Sequence, residues 1–174
     1  MKILKLKLEN FQGIKTAEFD FDGYSASIYG DNAVGKTTIQ NAHCWLLFGR
    51  SGDNVKNYTP QTNDAAGGYM HNLEHTAEET LQLDDGRVVT YKRVYKEVYK
   101  KRRGSAQSEH DGNTTDYYIN GVPSTEKEYA ASISALAGGD ADRLKILTIP
   151  DYFPSELPWQ ARRHILLDLC GDIT

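Results

Sequence analysis

The sequence predicts a mixed α/β fold, and three observations predict it. Residues 1–21 alternate apolar and polar side chains in two runs, as half-buried strands do. A glycine-rich stretch, residues 30–37, stands between a strand-like segment and one with apolar residues at helical spacing. Residues 81–123 then read as strand, turn and strand, and two amphipathic helical segments follow.

The elements follow in order. Leu4, Leu6 and Leu8 alternate with Lys5, Lys7 and Glu9 as a first strand, and Ala17, Phe19 and Phe21 with Glu18 and Asp20 as a second. Asp22-Gly23 makes a turn. Residues 25–29 (SASIY) predict a third short strand running into Gly30. Ile39, Ala42, Leu46 and Leu47 recur at helical spacing, and Gly49 is placed to cap that helix. Residues 50–80 are polar, rich in Asn, Thr and Gly, and show no assignable period. A hairpin is expected from Leu81, through the turn Asp84-Asp85-Gly86, into a strand from Arg87 to about Tyr99. Residues 104–114 read as a mobile loop, and Asn120-Gly121 marks a further strand turn. The whole stretch of about 81–123 reads as a β-hairpin insertion, an antiparallel β subdomain. The helical segment covers about 124–172. In it, Thr125 and Glu128 form a capping box, Gly138-Gly139 end one helix, and Trp159, Ile165, Leu166 and Leu169 mark a last one closed by Gly171. The expected architecture is a largely antiparallel sheet layered against a second sheet that supports the glycine-rich loop.

The 174 residues make one domain's worth of chain, long enough to bury a core. A net charge of -4 excludes a global attraction to nucleic acid, so any such contact must be local. Cys44 and Cys170 lie far apart with no CxxC, which argues against a disulfide framework and for the cytoplasm. Lysines interrupt the apolar residues of MKILKLKLENF, which therefore does not read as a signal peptide, and no apolar run approaches membrane-spanning length.

Gly30-Asp31-Asn32-Ala33-Val34-Gly35-Lys36-Thr37 is a complete GxxxxGK[ST] pattern, a P-loop. A triphosphate needs several backbone N–H groups converging on its oxygens, and a loop wrapped into a helix N-terminus supplies them. The two glycines let the backbone approach closely. Lys36 is placed to reach the β- and γ-phosphates, and the Thr37 hydroxyl to ligate Mg²⁺. The expected site is therefore Gly30 to Thr38 for ATP, with Lys36 catalytic and Thr37 on the metal. The loop's place narrows the class. Nucleoside kinases and GTPases usually carry it after the first strand, whereas here two strand-like segments precede the third. The guanine-reading NKxD is absent, and Asp20 to Gly23 match DxxG in the wrong order.

The stretches LKLENFQGIK (5–15), IYG (28–30), GDNAVGKTT (30–38) and NAHCWLLFG (41–49) resemble the N-terminal half of an ATPase head from the SMC and SbcC-type DNA-repair families. HDGNTTDYYINGVP (110–123) and YFPSELPWQARRHILLDLCGD (152–172) resemble bacterial and phage ATPases of the same group. The resemblance implies a split P-loop head of ABC/SMC type, with this chain as a single N-terminal lobe, 1–174, ending before a coiled coil. It implies a C-terminal lobe that brings the signature motif, a Walker B Asp-Glu pair and a switch histidine. It also implies ATP held between two heads in a dimer, and DNA and a partner nuclease as partners. There are departures from the family. Gln12 stands where members often have Arg, with Lys15 as a substitute, and Ala33 where many have Gly. The Q-loop glutamine is missing from residues 147–153, where Asp151 is the nearest metal-competent side chain.

Other motifs have bland readings. Leu136-Ala137-Gly138-Gly139-Asp140 resembles an LSGGQ signature but reads as a helix end. Ile165 to Asp168 resembles Walker B but has helical period and no following Glu. His71 and His75 are spaced i, i+4 without the HExxH order, and Arg162 and Arg163 read as a solvated helix face. The strand from Arg87 carries Lys92, Arg93, Lys96, Lys100, Lys101, Arg102 and Arg103 against only Glu97, with Tyr91, Tyr95 and Tyr99 interleaved. Lys100, Lys101, Arg102 and Arg103 are accordingly candidates for nucleic-acid contact, the alternative being a solvated hairpin whose lysines protect an edge. The expected function is MgATP binding within a DNA repair, recombination or chromosome-organising ATPase, hydrolysis requiring the C-terminal lobe. A stand-alone nucleotide-gated regulatory module and a small P-loop kinase are the alternatives.

Overall fold

In a computed structural model, residues 1–32, 34–101 and 108–171 are described. β1 (Lys2–Phe11) and β2 (Ile14–Asp20) come first, then α1 (Lys36–Phe48). β3 (His75–Gln82), β4 (Val88–Lys101), β5 (Ser108–Ile119) and β6 (Val122–Ser124) follow, and α2 (Glu126–Leu136), α3 (Ala141–Thr148), α4 (Tyr152–Ser155) and α5 (Trp159–Cys170) close the order. The strands form one sheet in the order β2-β1-β3-β4-β5-β6, every neighbouring pair antiparallel.

Strand alternation decides which side of the sheet is covered. Leu6, Leu8, Ala77, Leu81, Val89 and Tyr91 share one face with Ala42, Trp45, Leu46 and Leu47 of α1 and Tyr129 and Ile133 of α2, and together make the core. Each fully buried leucine or isoleucine among them contributes about 1.5–3 kcal/mol by leaving water. On the opposite face the register sets Glu18, Lys7, Glu78, Lys92 and Tyr118 in one row across five strands. Lys7 Nζ reaches Glu18 at 3.5 Å, and Lys92 Nζ lies 5.9 Å from the Tyr118 ring centroid. Alternating charges in such a row satisfy one another and keep that face in water.

Several expectations need correction. Residues 25–29 lie in no strand, and residues 24–30 are exposed; the second sheet expected beneath the loop is not formed by the described residues. The strand propensity is real, but a strand needs a partner, and a local pattern does not carry one. The hairpin is not an insertion beginning at Leu81: β3 starts at His75 and pairs with β1 at the centre of the sheet. Residues 108–114, expected in a mobile loop, belong to β5, which pairs with β4 as far as Ser108; residues 104–107 lie outside the described residues. Two short helices, α3 and α4, divide the stretch before α5.

The irregular segment 50–74 is tied to the β1–β2 turn. That turn carries Asn10, Gln12 and Gly13 at positive φ. Gln12 N donates to the Pro60 carbonyl at 3.0 Å, Gly13 N to Thr62 Oγ1 at 3.1 Å, and Thr62 Oγ1 to the Asn10 carbonyl at 2.9 Å.

Candidate functional site: a phosphate loop on the N-terminus of α1

α1 opens at Gly35, whose φ of +92° is a left-handed conformation that disfavours any side chain. No side chain caps this end, and no acid lies in the first turn, so the first N–H groups remain available to an anion. Gly30 is needed for space: a Cβ there would sit 2.9 Å from Val34 Cγ2. Ile14, at the start of β2, supports the loop from beneath, with its Cδ1 3.6 Å from where a Gly35 Cβ would stand. Lys36 Nζ donates to the carbonyls of Gly30 at 2.6 Å and Asp31 at 2.5 Å, so its ammonium sits inside the loop's curve.

The predicted residues are thus gathered around one helix end. Asp31, Asn32, Val34 and Thr37 are exposed. Thr38 is buried, so what it offers a ligand is its backbone N–H. Ala33 lies outside the described residues. The donor set suits a triphosphate and a hard cation: backbone N–H groups, one ammonium and one hydroxyl.

Elsewhere the predicted residues scatter. Ile149 and Tyr152 flank Asp151 and pack on Cys44 and Phe48, in the half of α1 away from Lys36. Gly138 and Gly139 end α2 with positive φ, donating to the carbonyls of Ala135 and Ser134, and Asp140 caps α3. Asp168 sits in α5 beside His164 at 3.1 Å. His71 Nδ1 approaches Glu97 at 2.6 Å, whereas His75 Nδ1 donates to the Asn10 carbonyl.

The basic strand is less bare than its sequence implies. Lys96 pairs with Asp116 at 2.5 Å and Lys100 with Asp111, both acids on the facing strand β5, so Glu97 is not the only local acid. Glu97 itself is held down to about 2 by the Asn72 amide, His71 and Tyr99. Lys101 is exposed at the end of β4, and Arg102 and Arg103 lie outside the described residues. Arg93 points into the core: it is 9% exposed, donates to the Leu47 carbonyl at 3.4 Å and lies 5.1–5.8 Å from the rings of Trp45, Tyr117 and Tyr129.

One pair escaped the sequence reading. His43 of α1 contacts both carboxylate oxygens of Glu79 at 2.9 Å, and the Glu79 side chain is fully buried. The available signal was an acid on the apolar face of β3, between Ala77 and Leu81.

Known proteins resemble this chain in sequence and fold. A family described as an AAA domain matches residues 5–167. The chromosome partition protein Smc of Halobacteriovorax marinus is 27% identical over 164 residues, 83% of this chain and 13% of that protein. The DNA replication and repair protein RecF of Chlamydia caviae is 45% identical over 51 residues, 29% of this chain and 14% of that protein. The chain thus spans about one-seventh of the curated relatives it matches. Among solved structures, an SMC ATPase studied for ATP-driven dimerization and DNA-stimulated activation superposes with a TM-score of 0.58 at 20% identity, covering 97% of this chain and 99% of its own. No helix among the described residues is long and apolar enough to cross a membrane. With the family matched from Lys5 to Leu167, a span that takes in the glycine-rich loop, the chain belongs to the AAA domain family, and it is similar to proteins of the SMC and RecF type.

Proposed function

We propose that this chain binds MgATP as the N-terminal half of an ATPase head in a cytoplasmic DNA repair, recombination or chromosome-organising machine. The carrying observation is the loop at α1, where the helix N-terminus has no side-chain cap and the Lys36 ammonium is held by the carbonyls of Gly30 and Asp31. The backbone around the glycine-rich loop would cradle the phosphates, Lys36 would neutralise charge on the β- and γ-phosphates, and Thr37 would hold Mg²⁺. The metal supplies charge neutralisation at the transferring phosphoryl group. A C-terminal lobe completes the head. Residues 24–30 support that reading: they lead into the loop exposed, with Tyr24 80% and Tyr29 89% exposed, and have no strand partner among the described residues. Two such heads close on ATP, with DNA and a partner nuclease as the larger assembly's partners. DNA contact on this lobe is assigned to Lys100, Lys101, Arg102 and Arg103.

Calorimetry with MgATP on the wild type and on Lys36→Ala tests the site. Lys36 belongs to neither core cluster and its ammonium donates to the exposed loop carbonyls, so the variant should stay folded and lose measurable affinity. Equal affinities would remove the nucleotide from this loop.

A further inference from the structure

The buried pair His43–Glu79 has a role that packing alone does not explain. A carboxylate buried in an apolar layer is costly, and apolar groups of similar volume often serve stability as well or better. The best-attested use of such a group is to fix one arrangement among several that apolar packing would tolerate. α1 is in that situation. Its loop end is exposed, with Ile14 supporting Gly35 from below. The side chains of its buried residues Ala42, Trp45, Leu46 and Leu47 pack by apolar, non-directional contact, while Tyr129 Oη and Arg93 donate to the carbonyls of Leu46 and Leu47 at its far end. The two-oxygen contact between His43 and Glu79 is directional, and it joins the middle of α1 to the central strand β3. His43 lies seven residues from Lys36, roughly 10 Å along a rigid helix, so a small tilt or slide at His43 moves the first turn.

We propose that Glu79 and His43 are positioning residues for the phosphate loop: their contact fixes the seat of α1, and through it the affinity for the triphosphate. This rests on the MgATP reading of the loop. The seat is also sensitive to protonation. Burial disfavours the charged imidazole, but the charge of Glu79 and its hydrogen bonds outweigh burial and raise the His43 pKa above its ordinary 6.5. The pair's contribution is therefore complete below the ordinary histidine range and is lost as pH rises through the raised value. Other titratable groups around the pair are Cys44 on α1, Asp53 in the following loop, Tyr91 opposite Glu79 on β4, and Tyr129 on α2. Burial pushes the Cys44 thiol up to about 12 and raises both tyrosines, so these three stay neutral where His43 titrates. Asp53 acts on Cys44 as a further negative charge.

The test compares wild type, Glu79→Gln and the double variant His43→Leu with Glu79→Met. Unfolding temperature, hydrogen exchange at the first-turn amides of α1 without nucleotide, and MgATP affinity from about pH 7 to about pH 9 are measured. The double variant should unfold no earlier than wild type, yet exchange its first-turn amides faster and bind MgATP on the order of tenfold more weakly. Wild-type affinity should fall as pH rises, relative to a flat double variant that also controls for the ionisation of ATP itself. A folded double variant with wild-type exchange and affinity would overturn the proposal. If that variant does not fold, Glu79→Gln decides: wild-type first-turn exchange and an unchanged pH profile would overturn it. The exchange readout needs no nucleotide, so it separates failure of the seat from failure of the nucleotide site, which the Lys36→Ala comparison reports.

Discussion

Gly35 shows how much one residue carries in this molecule. Its φ of +92° sets the chain's turn into α1, and no side chain there competes with a ligand for the first-turn N–H groups. Gly35→Ala should therefore strain the backbone by about 1–2 kcal/mol and weaken MgATP more than it weakens the fold. Calorimetry beside thermal unfolding checks this; a loss of stability with unchanged affinity would contradict it. The loop is legible from sequence because its chemistry is local: two glycines, a lysine and a threonine at fixed spacing suffice. His43 and Glu79 are not legible in that way. They lie 36 residues apart, and only the pairing of β3 beside α1 brings them within 2.9 Å. Arg93 misleads for the same reason, reading as one more cation of a basic strand while strand alternation turns it inward.

At the scale of elements, what could be read depended on where each signal resides. The capping box of α2 is present as expected, with Thr125 Oγ1 accepting from Glu128 N at 3.2 Å, and Gly49 caps α1 with φ +69°. Both signals lie within a few residues. The start of β3 and the unpaired segment 25–29 depend on distant partners, which explains why β3 reads as starting at Leu81 rather than His75 and why a strand is expected at 25–29 where none forms. The β4–β5 pair bears on DNA. Lys96 and Lys100 already face acids, so a duplex would exchange existing ion pairs for phosphates. Neutralising Lys100, Lys101, Arg102 and Arg103 together should flatten the salt dependence of DNA binding by less than the roughly 3.6 in slope that four free cations would give. Binding titrations across salt concentrations measure this, and an unchanged slope would take DNA off this hairpin.

In the whole molecule six strands pair in one sheet, and the segment that leads into the glycine-rich loop has no strand partner among the described residues. Phosphoryl transfer to water needs a held triphosphate, Mg²⁺ and a group that positions the attacking water. On the proposed reading, residues 30–38 would address the first and Thr37 part of the second. For the third, Asp168 is bound up in α5 beside His164, and the neighbours of Asp151 pack against the half of α1 away from Lys36. Positioning and electrostatic stabilisation supply most of this catalysis, so a lobe that holds the phosphates without them binds ATP and leaves it intact. The expected outcome is near-background phosphate release from the purified 174-residue chain. Turnover should appear on addition of a C-terminal lobe bearing signature and Walker B motifs, and residues 24–30 should then gain amide protection as their open edges are paired. Robust turnover by the chain alone, abolished by Lys36→Ala so that contamination is excluded, would show that the lobe already contains a water-positioning group and is a complete enzyme.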